Sequence, residues 1–287
     1  MWMAVSAVLF AAMGFFARVA SGHTHWTMVA GTRAATGALV AYVVARMRHA
    51  PLVVHNRRGI WLRSIFGTGS LMCTFYALGS PALGLGDTST LVNLTPVFVA
   101  LLAPFFLKER TGKRVAVALS LCVAGVVLIL HPSFVFGGGA PRTTAALTTA
   151  AVAVLASFLS SNAMMLLRQI SPTEGPEAIS FHFSLVAATV CLVAAVPHLH
   201  VPSGADGAAM VASGVSAGLG QLTMTRAYAL EPAARVSGMA YLSVVVSAGL
   251  GVAFLGETPG SGALAGMALV IAGGLVVTLA RPRRRPG

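Results

Sequence analysis

Long apolar runs alternate along the chain with short connections that are charged or rich in turn residues. Most runs are about 20 residues long, the length at which a helix crosses the hydrocarbon core of a bilayer. Residues 143–167, 236–256 and 258–280 include three of the longest uncharged runs. The pattern predicts an all-α integral membrane protein with ten transmembrane helices, near 2–20, 27–46, 60–79, 87–107, 115–131, 144–166, 178–197, 208–226, 236–255 and 261–280.

The composition excludes a soluble globular protein. Of the 287 residues, 56% are hydrophobic and 9% are charged, whereas a soluble domain has about 25% charged residues. Ten crossings of about 20 residues each leave only short connections, so the chain has no room for a separate soluble domain. The function is therefore expected within or across the lipid bilayer.

The net charge of +12 must be read by position. In a soluble protein it would suggest nucleic acid, but here the basic residues concentrate on alternate connections, such as 46–63 and 108–114, and on the tail 281–287. The positive-inside rule places these segments in the cytoplasm. We therefore expect a multi-pass protein of the inner (plasma) membrane with both termini and the basic tail cytoplasmic, and no nucleic-acid partner.

The two halves of the chain are related by a repeat. Residues 96–112, PVFVALLAPFFLKERTG, align with residues 244–260, VVVSAGLGVAFLGETPG, at an offset of 148. The alignment predicts a first repeat over 1–131 and a second over 144–280, each with five helices. Because five is odd, the second repeat enters the membrane in the opposite orientation, which gives the inverted repeats of secondary transporters.

With the segment AYALEPAARVSGMAYL at 227–242, these two segments resemble the EamA-like family of the drug/metabolite transporter superfamily. Glu109 and Glu257 are its clearest signature residues, and we interpret them as stabilising interfacial turns. The resemblance implies a transporter, more often an exporter than an importer, and leaves the cargo open.

Two ionisable residues within predicted helices need an explanation. Arg33 lies inside 27–46, where a guanidinium costs on the order of 3 kcal/mol or more. It is a candidate to bind a substrate carboxylate or phosphate, although it could instead snorkel outward or bond freed backbone carbonyls. His182 aligns with Arg33 in the second repeat and is a candidate for proton coupling, with simple hydrogen bonding as the alternative.

Further polar residues are candidates for a substrate cavity. Pro96 is expected to bend helix 87–107 beside Asn93, which binds substrate or forms an interhelical hydrogen bond, and this bend is better supported than one in helix 236–255. Gln221 and Tyr241 lie well inside their helices. All seven acidic residues fall at predicted helix ends or in loops. A neutral, zwitterionic or anionic cargo is therefore favoured over a cation.

The leading hypothesis is a secondary active exporter of small metabolites, such as amino acids or related carboxylate-bearing compounds, working by alternating access. The alternatives are uptake or exchange of a nucleotide-like or adenosyl metabolite, and a non-transporting membrane subunit. Since no cluster of catalytic or metal-ligating residues is apparent, we expect no enzyme activity, cofactor or metal. Protons remain a candidate coupling ion, and monomer and homodimer both remain open.

Overall fold

The computed structural model describes residues 1–20, 24–80, 82, 85–108, 112–130, 133–136, 143–255 and 260–279. Within these ranges all regular structure is helical. The helices are α1 (Trp2–Ala20), α2 (Trp26–Met47), α3 (Arg57–Gly79), α4 (Leu85–Val92), α5 (Thr95–Phe106), α6 (Lys113–Leu130), α7 (Ser133–Phe136), α8 (Thr144–Ile170), α9 (Pro176–Ala195), α10 (Gly204–Leu230), α11 (Ala233–Met239), α12 (Leu242–Leu255) and α13 (Ser261–Leu279). A 3₁₀ turn, Val196–His198, follows α9.

Seven of the described segments are long and apolar enough to cross a membrane by length and composition. They are Trp2–Ala20, Trp26–Met47, Thr88–Phe106, Lys113–Leu130, Thr144–Ile170, Pro176–His198 and Ala233–Phe254. The described residues thus agree with the predicted all-α membrane fold. The count of ten crossings and the inverted repeat remain predictions.

Two of the predicted helices are interrupted. The structure divides predicted helix 87–107 at residues 93–94, beside the expected bend at Pro96, and also divides predicted helix 236–255 at residues 240–241, where a bend was less expected. At both breaks hydrogen bonds shift to the third preceding residue, as in the bonds from Leu94 N to Leu91 O at 3.2 Å and from Val244 N to Tyr241 O at 3.0 Å. No proline lies at the break in the second half, at Ala240 and Tyr241, so this break could not be predicted from the position of a proline.

The helices pack mainly in pairs that join the first half of the chain to the second. Helix α1 lies against α10, α2 against α9, α3 against α8, and α6 against α13. Secondary contacts place α2 beside α10 and α3 beside α9. Helices α2, α3, α9 and α10 therefore form one connected group, and it is in this group that the buried arginines lie.

The α6–α13 pair is held together through glycines. A Cβ atom at Gly125 would lie 2.5 Å from Gly266 O, and one at Gly273 would lie 2.8 Å from Ala118 O. The two backbones approach so closely that only glycine fits at these positions, as at small-residue crossings in membranes. The Sγ atom of Cys122 lies 3.8 Å from Val270 O in the same interface.

Candidate functional site

A small, narrow cavity of about 10 Å³, with room for about one water molecule, lies between α2, α9 and α10, with one residue from α3. Its lining residues are Arg33, Ala34, Gly37, Leu71, Phe183, Ser184, Ala187, Ala217, Gly218 and Gln221. Two of the residues predicted to bind substrate, Arg33 and Gln221, are thus brought to one cavity from opposite halves of the chain. Most of the other lining residues are small or apolar.

Arg33 is buried on the wall of this cavity, with 9% of the residue exposed. Its Nε atom donates to Met13 Sδ at 2.9 Å, and a thioether sulfur is a weak acceptor. Among the described residues, no carboxylate lies within ion-pair distance of its guanidinium. The positive charge on the cavity wall is therefore not neutralised by these residues.

Glycines set the shape of the cavity where α2 crosses α10. A Cβ atom at Gly218 would lie 3.1 Å from Gly37 Cα and 2.8 Å from Val40 Cβ. By contrast, a Cβ atom at Gly37 would meet only ordinary contacts, with Ser184 Oγ at 3.5 Å and Gly218 Cα at 3.8 Å. The helices meet closely at Gly218, whereas Gly37 would accept a Cβ atom without displacing its neighbours.

A second buried guanidinium belongs to Arg63 of α3, which is only 2% exposed. Its Cζ atom lies 4.1 Å from the ring centroid of Phe183, and its Nη2 atom donates to Gln221 Oε1 at 3.5 Å. Arg63 was expected among the basic residues of the connection 46–63 on the cytoplasmic face. The structure shows that this arginine is not a solvated surface charge, since packing between α3, α9 and α10 buries the side chain.

The other predicted cavity residues meet at the two helix breaks. The hydroxyl of Tyr241 donates to Asn93 O at 2.8 Å, and Asn93 Nδ2 donates to Ser89 O at 2.8 Å. Asn93 and Tyr241 are separated by 148 positions, which equals the offset of the predicted repeat. Pro96 is buried in the first turn of α5, where its missing N–H costs no hydrogen bond.

His182 lies on α9 beside the cavity residue Phe183 but is not itself part of the lining. Its Nδ1 atom is 2.9 Å from Ala178 O, and its ring meets Phe181 edge to face. Proton coupling through His182 remains a prediction. The signature residues Glu109 and Glu257 fall outside the described residues.

The comparisons with known proteins agree with this architecture. The model of the EamA-like transporter family matches residues 1–131 and 147–279. The chain belongs to the EamA-like transporter family. It is thus a member of a family of membrane-embedded transporters for small molecules, as the resemblance in the sequence had implied.

Several relatives of this EamA-like protein carry transporter names. It is 30% identical over 249 residues to the pseudopaline exporter CntI of Pseudomonas aeruginosa, covering 86% of this chain and 82% of that protein. It is 26% identical over 210 residues to a riboflavin transporter of Rhizobium johnstonii, covering 73% and 67% respectively. A solved structure superposes with a TM-score of 0.83 at 20% identity, covering 96% of this chain and 97% of the other, which shows the fold.

Four of the seven carboxylates of this EamA-like transporter have described side chains, and these four lie at helix ends or in connections, as the sequence predicted. Each of these side chains makes at least one polar contact; they are Glu174, Glu177, Asp206 and Glu231. Glu174 Oε1 accepts from His55 N at 2.9 Å, and Glu231 Oε2 lies 2.9 Å from Arg235 Nη1. Within the described residues, no group of three potential metal ligands is found.

Proposed function

We propose that this transporter exports small metabolites that carry a carboxylate group, such as amino acids, across the inner membrane as a secondary active transporter. The observation that carries the proposal is the unneutralised guanidinium of Arg33 on the wall of a cavity between helices of both halves. A substrate carboxylate would supply the missing negative charge, and the planar guanidinium can bind it with two hydrogen bonds.

Alternating access is the mechanism that fits this arrangement. The proposed inverted repeats, 1–131 and 144–280, are supported by the matching positions of the two helix breaks and by helix pairs that cross between the halves. In the proposal the halves rock about the cavity. Gln221 binds the substrate beside Arg33, Asn93 and Tyr241 line the path at the breaks, and His182 exchanges a proton.

The outward direction is supported by the relative named as a pseudopaline exporter. Export is also the role that the family resemblance implies more often than import. Cytoplasmic termini follow from the positive-inside rule.

The function is tested by comparing the metabolites released by cells that make the intact transporter with those released by an Arg33→Gln variant. Arg46→Gln is the matched control, because Arg46 is an exposed arginine on the same helix. We expect carboxylate-bearing metabolites to accumulate outside with the intact transporter and with Arg46→Gln, but not with Arg33→Gln. Equal profiles for both variants at equal abundance would contradict the role of Arg33.

The topology is tested separately with cysteines at Gly112 and Gly260. A Cβ atom at either position would have no described atom within 4 Å, so a cysteine is accommodated. A membrane-impermeant thiol reagent should label residue 112 only from the cytoplasm and residue 260 only from outside. Labelling of both from one side would refute the inverted repeat.

A further inference from the structure

We propose that the cargo carries two separate anionic groups, one bound by Arg33 and the other by Arg63, so that the substrate class is a dicarboxylate. This inference rests on the proposed function and narrows its substrate. It starts from Arg63, which does not line the cavity but contacts two residues that do, Phe183 and Gln221.

Arg63 lacks the protein partners that a buried guanidinium requires. Its Nε and Nη1 atoms are buried without a hydrogen-bond acceptor among the described residues, as are Ser64 Oγ and Thr68 Oγ1 on the same helix. Buried polar atoms are nearly always hydrogen-bonded in native proteins. These donors on α3 therefore indicate a hydrogen-bond partner other than the described residues, such as a bound substrate.

The contacts of Arg63 connect it to the cavity. Phe183 and Gln221 both line the cavity and both touch the Arg63 guanidinium. The bond to Gln221 Oε1, at 3.5 Å, is long for a hydrogen bond. A carboxylate arriving from the cavity would replace this weak neutral acceptor with a charged, bidentate one, which is the stronger interaction.

The charge balance favours two acidic groups over one. A monocarboxylate bound at Arg33 would leave the Arg63 guanidinium without a counter-charge, and an uncompensated buried charge is costly. A single compact anion does not suit the geometry either. Arg33 is part of the cavity lining, whereas Arg63 lies behind Phe183 and Gln221.

The test measures binding to the purified full-length transporter in detergent by ligand-induced thermal stabilisation. The probes are malonate, succinate, glutarate and adipate, each compared with its monomethyl ester, together with butyrate and inorganic phosphate. We expect at least one diacid to bind roughly tenfold or more tightly than its monoester, as expected for a hydrogen bond to a charged group.

Substitutions at Arg63 should remove this preference. Arg63→Gln should bind diacid and monoester alike, Arg63→Lys should retain a reduced preference, and Arg33→Gln should lose binding of both. Arg58→Gln is the matched control, because Arg58 is exposed near the start of the same helix and should behave as the intact protein does.

A pair of glycine variants covers the case in which Arg63→Gln does not fold. A Cβ atom at Gly67 would collide with Arg63 Nη1 and come within 2.7 Å of Phe183 Cε2, whereas one at Gly69 would lie 3.4 Å from Leu159 Cδ1. Gly67→Ala should therefore weaken the diacid preference without removing a charge, and Gly69→Ala should leave it unchanged.

The outcomes separate the two proposals. Equal binding of diacids and monoesters by the intact transporter, an undiminished preference in Arg63→Gln or, if that variant does not fold, in Gly67→Ala, or tighter binding of phosphate than of any diacid would overturn the dicarboxylate inference. The first two results would leave carboxylate binding at Arg33 standing. Carboxylate binding that survives Arg33→Gln, or no binding of any carboxylate probe, would overturn the proposed function as well.

Discussion

Two helix crossings in this transporter both depend on glycine but differ in the space that they leave. In the α6–α13 crossing, Gly125 and Gly266 each face the carbonyl oxygen of the other, and an added Cβ atom would lie 2.5 Å from it. In the α2–α10 crossing, Gly37 borders a cavity and has room for a methyl group. The first crossing is closed by backbone contact, whereas the second meets closely at Gly214 and Gly218 but leaves a small opening beside Gly37 that Arg33 lines; we call these the closed and the open crossing.

The comparison teaches that a run of small residues does not by itself indicate tight packing. The spacing Gly214-x-x-x-Gly218 and the spacing Gly262-x-x-x-Gly266 look alike in the sequence. A Cβ atom at Gly218 would be 2.8 Å from Val40 Cβ, whereas one at Gly262 would have only Leu128 O at 4.0 Å. What the partner helix presents decides the role of each glycine.

The largest effect is expected at the closed crossing. Gly125→Ala should lower the free energy of unfolding by about 1–3 kcal/mol, the usual cost of overpacking, because the obstructing atoms belong to the backbone of α13. Gly37→Ala should change stability little. Thermal unfolding of both variants in the same detergent checks this contrast, and equal losses would remove the distinction between the two crossings.

At the open crossing, function and stability should separate. Arg33→Met should abolish transport while leaving the protein as stable as before, or more stable by about 1 kcal/mol or more, because an apolar side chain avoids the desolvation cost of a buried charge. Transport assays and thermal unfolding on one preparation give both readouts. A loss of stability as large as that of Gly125→Ala would mean that Arg33 is structural.

A smaller effect is expected where the two helix breaks meet. Tyr241→Phe should cost about 1 kcal/mol, because it removes the hydroxyl that donates to Asn93 O. Asn93→Ala keeps that bond, since the acceptor is a main-chain oxygen, and loses only a local bond to Ser89 O, which the main-chain N–H of residue 93 still satisfies. Thermal unfolding should therefore rank Tyr241→Phe below Asn93→Ala in stability, and the reverse order would show that the bond between the breaks contributes little.

The smallest effect concerns His25, which precedes α2. Burial and the nearby His198 lower its pKa, and the two rings stack with centroids 3.7 Å apart. His25 therefore binds a proton more readily in the unfolded chain than in the folded protein. The free energy of unfolding should then fall as the pH drops below about 6.5, the ordinary pKa of histidine. His25→Asn, which can still accept from Thr27 N, should show a flatter dependence of melting temperature on pH. An unchanged slope would contradict this linkage.

The sequence predicted those features that depend on the length of an apolar run or on a polar residue within it. The first apolar run predicted the bounds of α1 directly, since an uninterrupted run of that length has one stable form in a bilayer. Arg33 and Gln221 stood out as polar residues within apolar runs, and both line the cavity. The second helix break was not found, because the turn at Ala240 and Tyr241 needs no distinctive residue.

Arg63 was missed for a physical reason. Near the start of a helix that begins with two exposed arginines, a third basic residue follows the same local pattern as a cytoplasmic charge. Its burial depends on Phe183 and Gln221, which are more than 100 residues away and reach it only through tertiary packing. The local signal was the polarity of α3. This helix is not among the described segments that are apolar enough to cross a membrane by length and composition.

The polarity of α3 also has a consequence for biogenesis. This helix is synthesised early, but the residues that enclose Arg63 belong to α9 and α10, which are made much later. Until then a guanidinium must be shielded by lipid headgroups, water or the insertion machinery. The first half of the chain is therefore expected to be short-lived when expressed alone, and to become stable when the second half is supplied, even as a separate polypeptide.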